Sequence, residues 1–190
     1  MGKLGKDFNF IKINNFLNKS EINLLNAYCE IRHRLNAGNF DYYQSNNHDT
    51  CFYADPAMES LLVTKKDLIE KQVNKKLLPT YSYWRMYTKH AVLKNHLDRP
   101  SCEISLTVHI GNKGPDWPIY MDNKKIITKP GDAIVYLGAK IYHRRDEFFG
   151  DCHAQCFLHY VDKDGEYANN YMDGRSYWGM PHPMMEKNEF

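Results

Sequence analysis

The chain has 190 residues, of which 43% are hydrophobic and 25% charged, with a formal net charge of +2. That length suits one hydrophobic core, and the composition argues against a long disordered chain, a collagen-like repeat or a bilayer-crossing segment, for which roughly 20 consecutive apolar residues are needed. With 25 Lys+Arg against 23 Asp+Glu, the surface carries no strong signal for a nucleic-acid partner.

The five cysteines, Cys29, Cys51, Cys102, Cys152 and Cys156, are odd in number and lack CxxC spacing. The start Met1-Gly2-Lys3-Leu4-Gly5-Lys6-Asp7 has no apolar signal-peptide stretch, so a reduced, cytoplasmic protein with no membrane association is expected. Fourteen tyrosines suit twisted sheets and half-buried pockets better than a helical bundle.

Taken in order, the chain first shows Ile22, Leu25, Tyr28, Cys29, Arg32 and Leu35 at three- and four-residue intervals, which predicts an amphipathic helix from Ser20 to Leu35 with Ser20 as N-cap. A second helix is predicted from Asp55-Pro56 to about Asn74, with Asp55 capping the first turn and Pro56 at the first helical position. Between them lies a long stretch, Gly38 to Ala54, carrying Tyr42, Tyr43, Phe52 and Tyr53. It is expected to close over a site as a lid, or to add strands to a sheet.

After Pro79 the rhythm becomes period two. Short strands are predicted around residues 81–88, 91–96, 103–110, 124–128, 132–137, 141–145 and 153–161, separated by turns such as Asp98-Arg99-Pro100, Gly111-Asn112-Lys113-Gly114-Pro115 and Pro130-Gly131-Asp132. Strands after two helices predict a mostly β fold with α, a jelly roll whose N-terminal helices pack on one face. A single domain is expected over 1–190, with a helical part about 1–78, a β core about 79–162 and an irregular tail about 163–190. The tail aromatics Tyr167, Tyr171, Tyr177 and Trp178 are expected to bury.

Of nine histidines, only His96 has a carboxylate two residues on, in His96-Leu97-Asp98 at the end of a predicted strand. In an extended segment these side chains point the same way and can bind one ion together. His143 follows 47 residues later on another predicted strand. Two histidines and one carboxylate form the facial triad that suits non-haem Fe(II) and leaves three coordination positions open.

From Tyr81 to Asp162 the sequence resembles the double-stranded β-helix core of the Fe(II)- and 2-oxoglutarate-dependent dioxygenases, in particular their prolyl-hydroxylase-like branch. Three ordered features carry the resemblance: a Tyr-containing strand ending in His-x-Asp, a Gly-Asp turn into an apolar strand, and a distal His followed by a final strand. The resemblance implies His96, Asp98 and His143 as iron ligands, 2-oxoglutarate and O2 as co-substrates, and Tyr87 as a hydrogen-bond partner of 2-oxoglutarate. It also implies an Arg or Lys roughly nine to eleven residues after the distal His, where this chain has Cys152, His153 and Ala154. His153 is the best match, and Arg85, two residues before Tyr87, is a second source of positive charge.

Alternatives stand beside several of these residues. Tyr87 can be core and Arg85 an outward salt-bridged side chain; of Arg144-Arg145, directly after the distal histidine, at most one can point toward the site, or both form a surface charge run. His109, on a face shared with Ser105 and Thr107, lines either the co-substrate pocket or the solvent. The activity the resemblance implies is hydroxylation of an unactivated C–H bond on a prolyl or other side chain of a peptide, protein or amino acid, with release of succinate and CO2. The competing classes are a non-catalytic metal- or small-ligand-binding jelly roll and an interaction protein using the aromatic tail.

Overall fold

The computed structural model describes residues 9–35 and 49–181. Twelve regular elements form in the order β1 (Phe10–Ile13), α1 (Lys19–Leu35), β2 (Thr50–Tyr53), α2 (Pro56–Val73), β3 (Leu77–Thr88), β4 (Leu93–His96), β5 (Ile104–Lys113), β6 (Ile119–Met121), β7 (Lys124–Ile126), β8 (Ala133–Tyr136), β9 (His143–Arg145) and β10 (Cys152–Asp162). The strands make two antiparallel sheets, a major one in the order β1-β8-β5-β10-β3-β2 and a minor one in the order β4-β9-β6-β7. This is the expected jelly roll.

Local chemistry sets the helix ends. The Asp55 carboxylate accepts from the Ala57 N–H at 3.0 Å with Pro56 in the first turn, and Asn74 closes α2 in the left-handed conformation at φ 53°. At α1 the cap is Asn18 rather than Ser20. Asn18 Oδ1 accepts from the Glu21 N–H at 3.0 Å while Glu21 Oε2 accepts from the Asn18 N–H at 2.8 Å, a reciprocal capping box.

Period-two alternation then sorts the major sheet into two faces. Trp84 and Met86 of β3, Leu106, Val108 and Ile110 of β5, and Ala154, Cys156, Leu158 and Tyr160 of β10 pack with Leu25, Cys29, Met58, Leu62 and Ile69 of the helices in one apolar cluster. The intervening residues therefore point the other way, between the sheets. There they are polar and still buried: Arg85, Ser105, Thr107, His109, His153, Gln155 and His159. The Ser105, Thr107 and His109 stripe faces inward, not toward solvent. A purely structural sandwich has an apolar filling. This interior is built to hold something polar.

Two strands escape the sequence pattern: β1, at one edge of the major sheet, and β6, three residues long. At the other edge, β2 is an added strand of the kind expected as the alternative to a lid. β2 is the described end of the Gly38 to Ala54 stretch and pairs with β3 from Thr50 opposite Met86 to Tyr53 opposite Tyr83. Tyr42, Tyr43 and the rest of the expected lid lie outside the described residues. Among the described residues all five cysteines are free thiols, and no helix is long and apolar enough to cross a membrane.

Glu70 ties the end of α2 to the start of β3. Its carboxylate accepts from the Leu77 N–H at 2.9 Å, from Lys66 at 2.8 Å and from Lys76 at 3.0 Å. Burial opposes ionisation, but these donors outweigh it and take the Glu70 pKa from the usual 4.5 to about 2. A depressed carboxylate pKa stabilises the fold above the unfolded value and loses that contribution as pH falls through the folded one. Glu70→Gln is therefore expected to cost about 1–2 kcal/mol at pH 7 and progressively less toward pH 2. Thermal melts across that range check it; a deficit independent of pH refutes it.

Through residue 181, charge anchors the described part of the tail in place of the aromatics. Tyr171, Tyr177 and Trp178 are 47%, 73% and 38% exposed, whereas Asp173 and Arg175 are buried. Arg175 Nη2 donates to Glu59 Oε1 at 2.6 Å and to the Thr80 carbonyl at 2.9 Å. Asp173 takes a two-pronged bond from Arg99 at 2.9 and 2.6 Å and another from the Tyr53 hydroxyl at 2.5 Å.

Candidate metal centre and the pocket beside it

His96 ends β4, Asp98 follows two residues later, and His143 opens β9 directly opposite His96 in the ladder. The minor sheet thus brings together the three residues singled out by spacing. His96 Nε2 lies 3.6 Å and His143 Nε2 3.5 Å from the same oxygen, Asp98 Oδ1, and the two imidazole centroids are 4.2 Å apart. The backbone N–H of Asp98 donates to the Gly138 carbonyl at 2.9 Å, which pins the turn. A Cβ on Gly138 would sit 2.5 Å from Asp98 Oδ2, so only glycine leaves this carboxylate its place.

Ring orientation follows from the second nitrogen. Nδ1 of His96 meets the Lys94 carbonyl at 2.7 Å, and Nδ1 of His143 meets the Ile141 carbonyl at 2.9 Å. Carbonyls only accept, so each Nδ1 carries the hydrogen and each Nε2 presents a lone pair to Asp98. The other carboxylate oxygen, Oδ2, accepts from Ser105 Oγ at 3.3 Å and the Tyr136 hydroxyl at 3.2 Å. Two imidazole lone pairs and one carboxylate oxygen facing one another repel unless a proton or a cation sits among them. Burial works against both charges, but Asp98 holds His96 above its usual pKa, and His143 and His96 hold Asp98 far below the carboxylate range. The donor set fits a divalent transition metal.

Beside this cluster the strands place a second group of buried side chains. Tyr87 and Arg85 share the inward face of β3, with the guanidinium carbon 5.1 Å from the Tyr87 ring centroid. The outward reading of Arg85 is thereby corrected: it is fully buried. His109 and His153 stack with ring centroids 4.3 Å apart, and His153 Nε2 meets Gln155 Oε1 at 3.0 Å. Burial, reinforced by Arg145, lowers the His109 pKa to about 4 and holds His153 well below the usual imidazole value. A protonated His153 is therefore not the cation expected there.

Of the adjacent pair Arg144-Arg145, it is Arg145 that turns inward. Two residues beyond His143, it leaves β9 on the same face and is 2% exposed, while Arg144 turns outward over Tyr120. Adjacent arginines read as a surface run, but the i, i+2 relation to His143 carried the signal.

No protein-family model matches this sequence, and no curated protein matches it. Solved structures do. A prolyl-4-hydroxylase from Pseudomonas putida superposes with a TM-score of 0.64 at 16% identity, over 80% of this chain and 92% of that one. HygX from Streptomyces hygroscopicus, with nickel and 2-oxoglutarate bound, gives 0.62 at 13% identity over 82% and 83%. A Trichoplax adhaerens prolyl hydroxylase in complex with a hypoxia inducible factor peptide fragment gives 0.61 at 16% identity over 81% and 84%. The chain has the 2-oxoglutarate–Fe(II) oxygenase fold. Within that oxygenase fold, side-chain exposure falls from 25% at His96 and 15% at Asp98 to 4% at His143, so the triad sits at the mouth and the guanidiniums lie within.

Proposed function

We propose that the protein is an Fe(II)- and 2-oxoglutarate-dependent dioxygenase that hydroxylates an unactivated C–H bond, on a prolyl or other amino-acid side chain of a peptide, protein or free amino acid. One observation carries the reading: His96, Asp98 and His143 converge on a single point with both Nε2 lone pairs free for a metal, beside an interior that is polar, buried and positively charged. His96, Asp98 and His143 would hold Fe(II), whose role would be to activate O2; one oxygen atom would go to succinate, formed with CO2 from 2-oxoglutarate, and the other would replace C–H by C–OH.

The chain's own residues hold and orient. Ser105 and Tyr136 keep Asp98 Oδ2 occupied so that Oδ1 alone serves the metal. Tyr87, His109, His153 and Arg85 line the co-substrate side, where Trp117 and Phe148, 5.1 Å apart, exclude water. No protein acid–base pair is required. The peptide bound by the Trichoplax enzyme and the prolyl hydroxylases among the structural neighbours favour a peptidyl substrate.

The test is metal analysis of the untagged chain followed by iron-dependent consumption of 2-oxoglutarate, with proline-containing peptides scored for a +16 mass shift. Iron-dependent succinate formation is expected. Iron bound without any 2-oxoglutarate turnover would assign the chain to the non-catalytic metal-binding class instead.

A further inference from the structure

The guanidinium of Arg145 is sealed inside the barrel, and no carboxylate pairs with it among the described residues. Its Nη1 donates to the Trp117 carbonyl, and its carbon lies 4.8 Å from the Trp117 ring centroid. Nη2 is buried with no hydrogen-bond partner among the described residues. A buried charge left uncompensated is strongly destabilising. Folds retain one where an anion completes it.

A second orphan lies next to the first. His153 Nδ1 is buried without a partner, and its ring stands 5.3 Å from that of Trp117. Arg145 and His153 thus meet at one indole from opposite sheets, β9 of the minor and β10 of the major. A long cation at 153 would compete with Arg145 for the same space and repel it, whereas a neutral imidazole leaves room. The small residue on β10 is the complement of the large one on β9.

We propose that Arg145 binds the distal carboxylate of a linear 2-oxo dicarboxylate whose oxo end reaches His96, Asp98 and His143, so that the anchoring charge has moved from the last strand to the strand of the distal histidine. This rests on the co-substrate reading above and names the residue that selects it. His143 and Arg145 share one face of β9, one strand repeat apart, so a single short strand holds both ends of the ligand. The planar fork suits a carboxylate, and the Trp117 and Phe148 rings keep the pair dry, which strengthens it. Arg85 is buried too, but it lies against Tyr83, whose hydroxyl accepts from its Nη2 at 3.4 Å.

The experiment is calorimetric binding to the full chain loaded with Ni(II), without turnover, using 2-oxoglutarate and 2-oxopentanoate, which lacks the distal carboxylate. The native chain is expected to prefer 2-oxoglutarate by ~30-fold or more. Arg145→Gln should erase that preference by weakening 2-oxoglutarate alone, with Ni(II) stoichiometry and 2-oxopentanoate affinity unchanged. Native-like 2-oxoglutarate affinity in Arg145→Gln, or loss of preference in Arg85→Gln alone, overturns the assignment while leaving the dioxygenase reading intact. A native chain that binds Ni(II) but no 2-oxoglutarate overturns both. Should Arg145→Gln not fold, Arg145→Lys replaces it: a ~5-fold loss confined to 2-oxoglutarate is expected for a charge without a fork, and equal loss for both ligands refutes the proposal.

Discussion

Replacing His143 by alanine is expected to abolish iron binding and 2-oxoglutarate turnover together. His143 is one of three donors that converge, with His96 and Asp98, and it is the most buried of them; the other described group around Asp98, with Cys102 and His159, includes neither His96 nor His143. Removing a first ligand should exceed the ~10–100-fold loss typical of removing its hydrogen-bond partner. The fold should survive, because β9 is three residues long and most of the core packing lies between the helices and the major sheet. Iron content by elemental analysis, a turnover assay and a circular dichroism melt read the three expectations separately. Full activity with native iron content would sink the assignment of the triad.

The largest stability effect is expected at Arg175. Its side chain and that of Glu59 are 0% and 1% exposed and form an ion pair at 2.6 Å, while Arg175 also satisfies the carbonyls of Thr80, Met172 and Met180. Arg175→Leu strands the Glu59 carboxylate in the interior, which costs about 3–5 kcal/mol. For a chain of this size that lowers the melting temperature by roughly 6–20 °C. Tyr177→Ala, at a side chain 73% exposed in the same tail, should change it by less than ~0.5 kcal/mol. Equal effects from the two substitutions would mean that the tail is held by its aromatics after all.

Much of this was legible in the chain. The caps Asp55 and Asn74 and the apolar periodicity mark α2 to within a residue, because those signals are local. The seven strand segments were bounded by turn residues whose backbone preferences are equally local. The convergence of His96, Asp98 and His143 was foreshadowed by an i, i+2 spacing and a distal histidine, although what they bind rests on the proposal. Alternation reveals which residues share a face but not which face is inside, so the Ser105–His109 stripe and Arg85 stayed ambiguous until the helices were seen to cover the opposite side. Alternation allowed one of Arg144 and Arg145 to face inward without saying which, and burial selects Arg145. The tail misled because burial there follows ion pairing rather than hydrophobicity. β1 was missed because an edge strand needs little alternation, being covered on fewer sides, and β2 was legible only as one of two alternatives for its stretch.

Arg99 directly follows Asp98 and is gripped by Asp173, 74 residues further along. Met172 and Asp173 both adopt left-handed backbone at φ 53° and 54°, a conformation such residues hold only when neighbours enforce it. The turn that aims the acidic ligand therefore borrows its rigidity from a segment the ribosome makes much later. During synthesis both sheets can pair once β10 has emerged, yet Asp98 gains its final support only after Asp173 has left the exit tunnel. Metal binding at the proposed centre would accordingly be completed late, and a released chain ending before residue 173 should form its sheets yet be poorer at retaining metal.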